Sequence, residues 1–133
     1  MYKNYKYNST TDSEFTKGII IDREVSIDGH GIKIDGSDSA RIFKINTNDK
    51  VTFKHITFTQ GFVTGSGEGG AIYGSASSSY TAINCTFSNN NAYNGGAMSG
   101  GTAIGCTFSG NHVDFGDGGA MDSGTAIGCT FSG

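Results

Sequence analysis

The chain has 133 residues, enough for one domain with its own core. Nine basic against twelve acidic residues give a net charge of −3 with no basic cluster, which excludes a nucleic-acid footprint and attraction to an anionic membrane. The 22 glycines, abundant Ser, Thr and Asn and absence of Pro suit short strands and tight turns. The strongest apolar run, Gly18 to Ile21, is far too short to cross a bilayer.

Residues 1–18 are polar and irregular, with Tyr2, Tyr5, Tyr7 and Phe15 as the large anchors, and are predicted to cap the strands from residue 19 onward. Tyr5 and Tyr7 alternate as a short strand would, and Asn8 to Ser13 reads as a turn. Strands dominate from residue 19. Ile19–Ile21, Val25–Ile27, Ile32–Ile34, Ile42–Ile45, Val51–Phe53 and Ile56–Phe58 are short apolar or alternating runs. Asp28-Gly29 and Asp35-Gly36 punctuate two of them, and no helical period persists for three turns.

Beyond residue 69 one phrase is repeated. It opens as Gly69-Gly70-Ala71-Ile72, Gly95-Gly96-Ala97-Met98 and Gly118-Gly119-Ala120-Met121. It closes as Cys-Thr-Phe-Ser at Cys85, Cys106 and Cys129, and Gly101 to Gly110 recurs letter for letter as Gly124 to Gly133. Ile56-Thr57-Phe58-Thr59 fills the same role 29 residues before Cys85, and Arg41-Ile42-Phe43 that of Gly70-Ala71-Ile72. Residues 19–133 therefore form one repeat array.

A unit of two to three dozen residues with about three strands cannot bury its apolar face alone. Stacking solves this: each strand pairs in parallel with its equivalent in the next coil, about 4.8 Å away. The predicted fold is all-β, a right-handed parallel β-helix of about four coils, with the N-terminal segment over the first. Phe58, Phe87, Phe108 and Phe131 then form one inward column, and Cys85, Cys106 and Cys129, headed by Ile56, a second. Thr57, Thr86, Thr107 and Thr130 face out between them. Asn90 and Asn111, three residues after their Phe, bond along a turn, and the Gly pairs form a corner. Alternation from Cys85 turns Ile83 inward; the Phe53–Ile56 spacing turns Ala82 inward instead. A leucine-rich horseshoe would need a Leu framework, and the chain has no Leu.

Gly-Gly-Ala-Ile followed by Phe-x-x-Asn, here Gly69 to Ile72 with Phe87 and Asn90, resembles the chlamydial polymorphic outer-membrane protein repeat. The second copy, Gly95 to Met98 with Phe108 and Asn111, keeps it with Met for Ile. Ile27 to Gly36, Arg41 to Phe43 and Ile56 to Phe58 resemble the opening coils of adhesin-like surface proteins of methanogenic archaea. The resemblance covers residues 19–133 and implies a pectin-lyase-like solenoid at the cell surface or outside the cell, with a structural or adhesive role. The implied partner is a protein or glycan of a host or neighbouring cell. No signal peptide is legible, since no apolar stretch follows the basic Met1 to Tyr7. The third copy stops at Gly133, so a fragment of a longer chain is expected. Its last coil would offer a strand edge to further coils or another copy.

Candidate chemistry is sparse. Gly65 to Gly70 satisfies G-x-G-x-x-G but leads into a strand, not the helix a dinucleotide site requires. The cysteine spacings match no metal or redox motif, so the thiols read as buried fill, and no cofactor or metal is expected. His30, His55 and His112 share no repeat position and read as turn residues. Asp114, Asp117 and Asp122, flanking the third Gly-Gly-Ala, are the best carboxylate cluster. They support the alternative function, a β-helix polysaccharide lyase or glycosidase, which needs convergent acids or a basic proton acceptor. An ice- or surface-binding role would need a flat two-column threonine array, and only the Thr57 file is evident. Asn8 and Asn84 are glycosylation acceptors by motif, the second placed in a strand beside a buried Cys. The loops Gly61 to Gly69 and Ser75 to Ser79, long, polar and variable between units, are the expected places of recognition.

Overall fold

The computed structural model describes residues 3–75 and 80–133. Its strands are all parallel and stack into a β-solenoid, a parallel β-helix. One wall is a five-stranded sheet built of β2 (Ile19–Ile21), β4 (Phe43–Ile45), β6 (Ile72–Gly74), β10 (Met98–Ser99) and β14 (Met121–Asp122). There are thus five coils, one more than the repeated letters suggest. The additional coil is the first, formed by β2 and the long β3 (Val25–Asp35), which shares almost no letters with the later ones. Before it, β1 (Tyr5–Lys6) adds beside Ile34 and Asp35 of β3, and Tyr7 is buried there with its hydroxyl 2.6 Å from that of Thr16.

The remaining walls descend from β3 and β5 (Val51–Thr59), which pair in register on both sides of a corner. Above β5 the same strand path is split at the corner. β7 (Tyr80–Ile83), β11 (Thr102–Ile104) and β15 (Thr125–Ile127) continue its first half; β8 (Thr86–Ser88), β12 (Thr107–Ser109) and β16 (Thr130–Ser132) continue its second. The short β9 (Asn91–Ala92) and β13 (His112–Val113) form a last pair after the turn.

The corner decides what faces inward. His55, Asn84, Gly105 and Gly128 hold φ of 53°, 51°, 61° and 61°, a left-handed residue that interrupts the alternation of two. Two inward positions are therefore three residues apart, and Phe53, Ala82 and Ala103 are buried while Ile104 and Ile127 lie outside. Ala82, not Ile83, faces the core. Asn84 accordingly sits at an exposed corner rather than within a strand.

Inside, the aromatic column forms as the repeat demands. Successive ring centroids from Phe58 through Phe87 and Phe108 to Phe131 lie 4.9, 4.9 and 4.7 Å apart, with planes within 14°. That is the strand spacing itself, so each ring stacks on the ring of the next coil. Cys85 and Cys106 form the neighbouring column beneath Ile56, and the threonine file faces out. A second outward file, Thr52, Thr81, Thr102 and Thr125, pairs in register on the other side of the corner. The sequence conceals it because Thr52 belongs to a coil with different neighbours.

The asparagine ladder seals the turn after the aromatic column. Asn90 is fully buried; its Oδ1 accepts the Gly61 N–H at 2.7 Å, and its Nδ2 donates to the Phe58 carbonyl and to Asn111 Oδ1 at 3.2 and 2.9 Å. Asn111 repeats the bond to Phe87. Gly61 lies in the turn between walls, outside the strands, and its backbone N–H finds its partner in Asn90. Replacing Asn90 by Ala orphans several buried groups, and a loss of about 3 kcal/mol is expected in urea unfolding. Thr107→Ala, on the exposed file, should change stability by no more than about 0.5 kcal/mol.

Candidate functional site

The repeated residues are used up by the solenoid. In the Gly-Gly-Ala corner the first glycine, Gly69, Gly95 or Gly118, has φ of 62°, 57° or 69°, a region open to glycine at no steric cost. The second lies against neighbouring backbone: a Cβ on Gly96 would meet the Gly119 carbonyl and fall 2.6 Å from the His112 oxygen. Ala71, Ile72, Ala97 and Met98 then enter the core, and Ala120 with Met121 packs partly against it. Gly65 to Gly70 leads into the strand Ile72–Gly74, not a helix.

The three thiols are free. Each donates to a carbonyl of the preceding coil: Cys85 to Phe53, Cys106 to Ala82 and Cys129 to Ala103, at 3.6, 3.3 and 3.3 Å. Hydrogen bonding to Cys85 and burial push the Cys106 thiol up, which disfavours the reactive thiolate. Cys129 is only partly covered. In the folded protein, iodoacetamide followed by mass spectrometry should label Cys129 well before Cys85 and Cys106. Equal labelling of all three would contradict the buried column.

The acidic residues do not converge. Asp114 accepts from the His112 ring at 3.0 Å, Asp117 donates its backbone N–H to Asn94 Oδ1 at 2.7 Å, and Asp122 accepts from Ser123 at 3.1 Å. Among the described residues no group of three or more His, Cys, Asp or Glu could hold a metal ion. Nor is any helix among them long and apolar enough to cross a membrane.

Two histidines do share a place, contrary to the expectation from their spacing. The corner occupied by His55 is, one coil earlier, the irregular stretch between Asp28 and Ile32 that holds His30. The His30 backbone N–H donates to Asp28 Oδ1 at 3.0 Å and the His55 ring lies 3.1 Å from it. In that order these two hold the Asp28 carboxyl below the usual carboxylate range. A depressed folded-state pKa contributes stability above the unfolded value of about 3.9, lost as pH falls through the folded value. Asp28→Ala should thus lower the melting temperature at about pH 6, and the difference should vanish towards about pH 2. A difference independent of pH would contradict this corner.

Two residues with structural roles carry no signal in the repeat pattern. Arg41 is buried, and burial lowers its pKa; its guanidinium donates to the carbonyls of Lys17, Glu68 and Gly69 and lies 5.0 Å from the Tyr73 ring centroid. Tyr80 is fully buried with its hydroxyl donating to the Ser99 carbonyl at 2.9 Å.

Among the described residues, open surface is shaped in several places, one of them a cavity of about 330 Å³ lined by Lys17, Arg41, Phe62, Val63 and Thr64. On the outer sheet face a groove of about 620 Å³ runs across three coils, lined by Glu24, Ser26, Lys50, Lys54, Thr81 and Ile83. At the turn after the aromatic column lies a cleft of about 390 Å³, with Phe62, Val63, Asn91, Tyr93, Asp114 and Phe115 in its lining. It includes the first part of the predicted recognition loop Gly61 to Gly69. The other loop, Ser75 to Ser79, falls outside the described residues but for Ser75.

Cleft residues come from three successive coils. Phe62 bridges to Asn91, and Asn91 pairs with His112. The Phe115 loop is tied to the coil beneath by the bond from Asp117 to Asn94, and a side chain on Gly116 would collide with Tyr93 and Asn94. Phe115 is left 85% exposed and Tyr93 37%. No regular spacing marks these aromatics, so only the three-dimensional register brings them together. No family model matches the chain, and comparison with curated proteins and with solved structures likewise finds no match.

Proposed function

We propose that the protein is a structural or adhesive segment of a cell-surface or secreted adhesin-like repeat protein. The observation that carries this reading is that the repeated letters serve stacking, while chemically varied residues occur at loops and outer faces. A rigid solenoid then holds those loops at fixed spacing, and binding needs no ordering of the scaffold. Phe131, the last ring of the aromatic column, is 50% exposed. Another coil of the same pattern, in the same polypeptide or a second copy, would pair there in register.

The Lys50 and Lys54 groove supports a second reading, a carbohydrate-active enzyme, because lysine can serve as proton acceptor on an acidic polysaccharide. It contains one carboxylate, Glu24, and lacks the pair of acids that hydrolysis of a glycosidic bond uses.

Beads coated with the protein should adhere to cell surfaces or immobilised glycans, while polygalacturonate and alginate incubated with it keep their chain length. Shortening of either polymer, abolished by Lys54→Ala, would overturn the display reading in favour of the enzyme.

A further inference from the structure

We infer that the Phe62–Tyr93–Phe115 cleft is a binding site for a neutral saccharide. The inference rests on the display reading and names the class of ligand the display would take.

Three properties of the cleft lead there. Its volume, about 390 Å³, lies within the range of small-molecule sites, roughly 300–1,000 Å³. Its lining combines three aromatic residues with a few polar groups, Thr64, Asn91 and Asp114 among them. A sugar ring has one face of C–H bonds and a rim of hydroxyls, so it stacks its positive C–H edges on the negative face of an aromatic ring while its hydroxyls find donors and acceptors. Phe115 is the natural platform, because at 85% exposure it contributes almost nothing to the core that would explain a phenyl group there.

Charge then selects among sugars. The cleft's lining includes a carboxylate, Asp114, and neither lysine nor arginine. A uronate or sulfated sugar would bring an anion against Asp114; the cations of the adjoining cavity, Lys17 and Arg41, lie outside the lining, and the Arg41 donors are already spent on backbone carbonyls. A neutral sugar meets no such repulsion, and Asp114 can accept from two adjacent hydroxyls; the His112 ring at 3.0 Å orients it. The groove across the sheet has the opposite character, with Lys50 and Lys54, so the two surfaces are separable by ligand charge.

Size and rigidity agree. Contributing residues span three coils, about 10 Å at the strand spacing, close to the length of a disaccharide. The Phe115 loop is pinned by the Asp117 N–H to Asn94 and the close approach of Gly116, so the platform is preorganised.

Titration calorimetry of the intact protein with cellotetraose and xylotetraose, with trigalacturonate as the anionic counterpart, tests the assignment. Binding of at least one neutral oligosaccharide is expected, weakened about tenfold or more by Phe115→Ala and several-fold by Asp114→Asn, with the melting temperature unchanged because both side chains are exposed. Lys54→Ala, in the other groove, should leave it unchanged. The assignment is overturned if neither neutral oligosaccharide binds, if binding survives Phe115→Ala, or if trigalacturonate binds better and is lost with Lys54→Ala. Wild-type and Phe115→Ala beads that adhere equally would leave the display reading standing while removing the saccharide cleft.

Discussion

In-register stacking at the strand spacing is the constraint on which everything else in this molecule depends. Once parallel strands repeat every 4.8 Å or so, each side chain faces its equivalent in the next coil, and that pairing must be favourable at every column. Phenylalanine meets this by offset stacking, at 4.7 to 4.9 Å between centroids from Phe58 to Phe131. The thiols meet it by filling a narrow column while donating to a carbonyl of the coil before. Asparagine meets it by bonding both to the next asparagine and to the phenylalanine carbonyl of the coil before.

The same constraint governs the exceptions. Where one coil carries a larger group, the next must yield: Tyr80 fills the interior position paired with Gly101, and a Cβ on Gly101 would come 2.5 Å from Cζ of its ring. Hence glycine stands at Gly101, above the tyrosine. Arg41 is a comparable local solution. Buried near the corner between the second and third coils, it spreads its donors over three carbonyls, with the Glu68 carboxylate acting on it only through its charge.

The fold was legible in the sequence wherever stacking forces identity. The phenylalanine and cysteine columns, the outward Thr57 file and the Asn90–Asn111 bond all follow from letters that recur. Legibility failed wherever different residues solve the same problem. The left-handed corner is filled by His55, Asn84, Gly105 and Gly128, three residue types that tolerate φ > 0, so no repeated letter announces it. That one hidden residue decided between Ala82 and Ile83 and concealed the second threonine file, while Ile32-Lys33-Ile34 pairs with Ile56-Thr57-Phe58 one coil later as their shared alternation suggests. Nearness in sequence is a weak guide for the acids: Asp114, Asp117 and Asp122 are each bonded to a different neighbour. The aromatic cleft was invisible, since Phe62, Tyr93 and Phe115 meet only through the register of three coils.

Under the proposed display role recognition falls to the cleft and the lysine groove, whose linings are gathered from successive coils. Their positions are only as well defined as the register beneath them, which is therefore the claim to test first. Nuclear Overhauser contacts between aromatic side chains measure it directly. The account predicts ring-to-ring contacts in the unbroken series Phe58–Phe87–Phe108–Phe131, with none from Thr86 to the Phe108 ring across a slipped register. Side-chain contacts joining the Thr107 methyl group to the Phe87 ring, or a series interrupted between Phe87 and Phe108, would contradict the stacked solenoid.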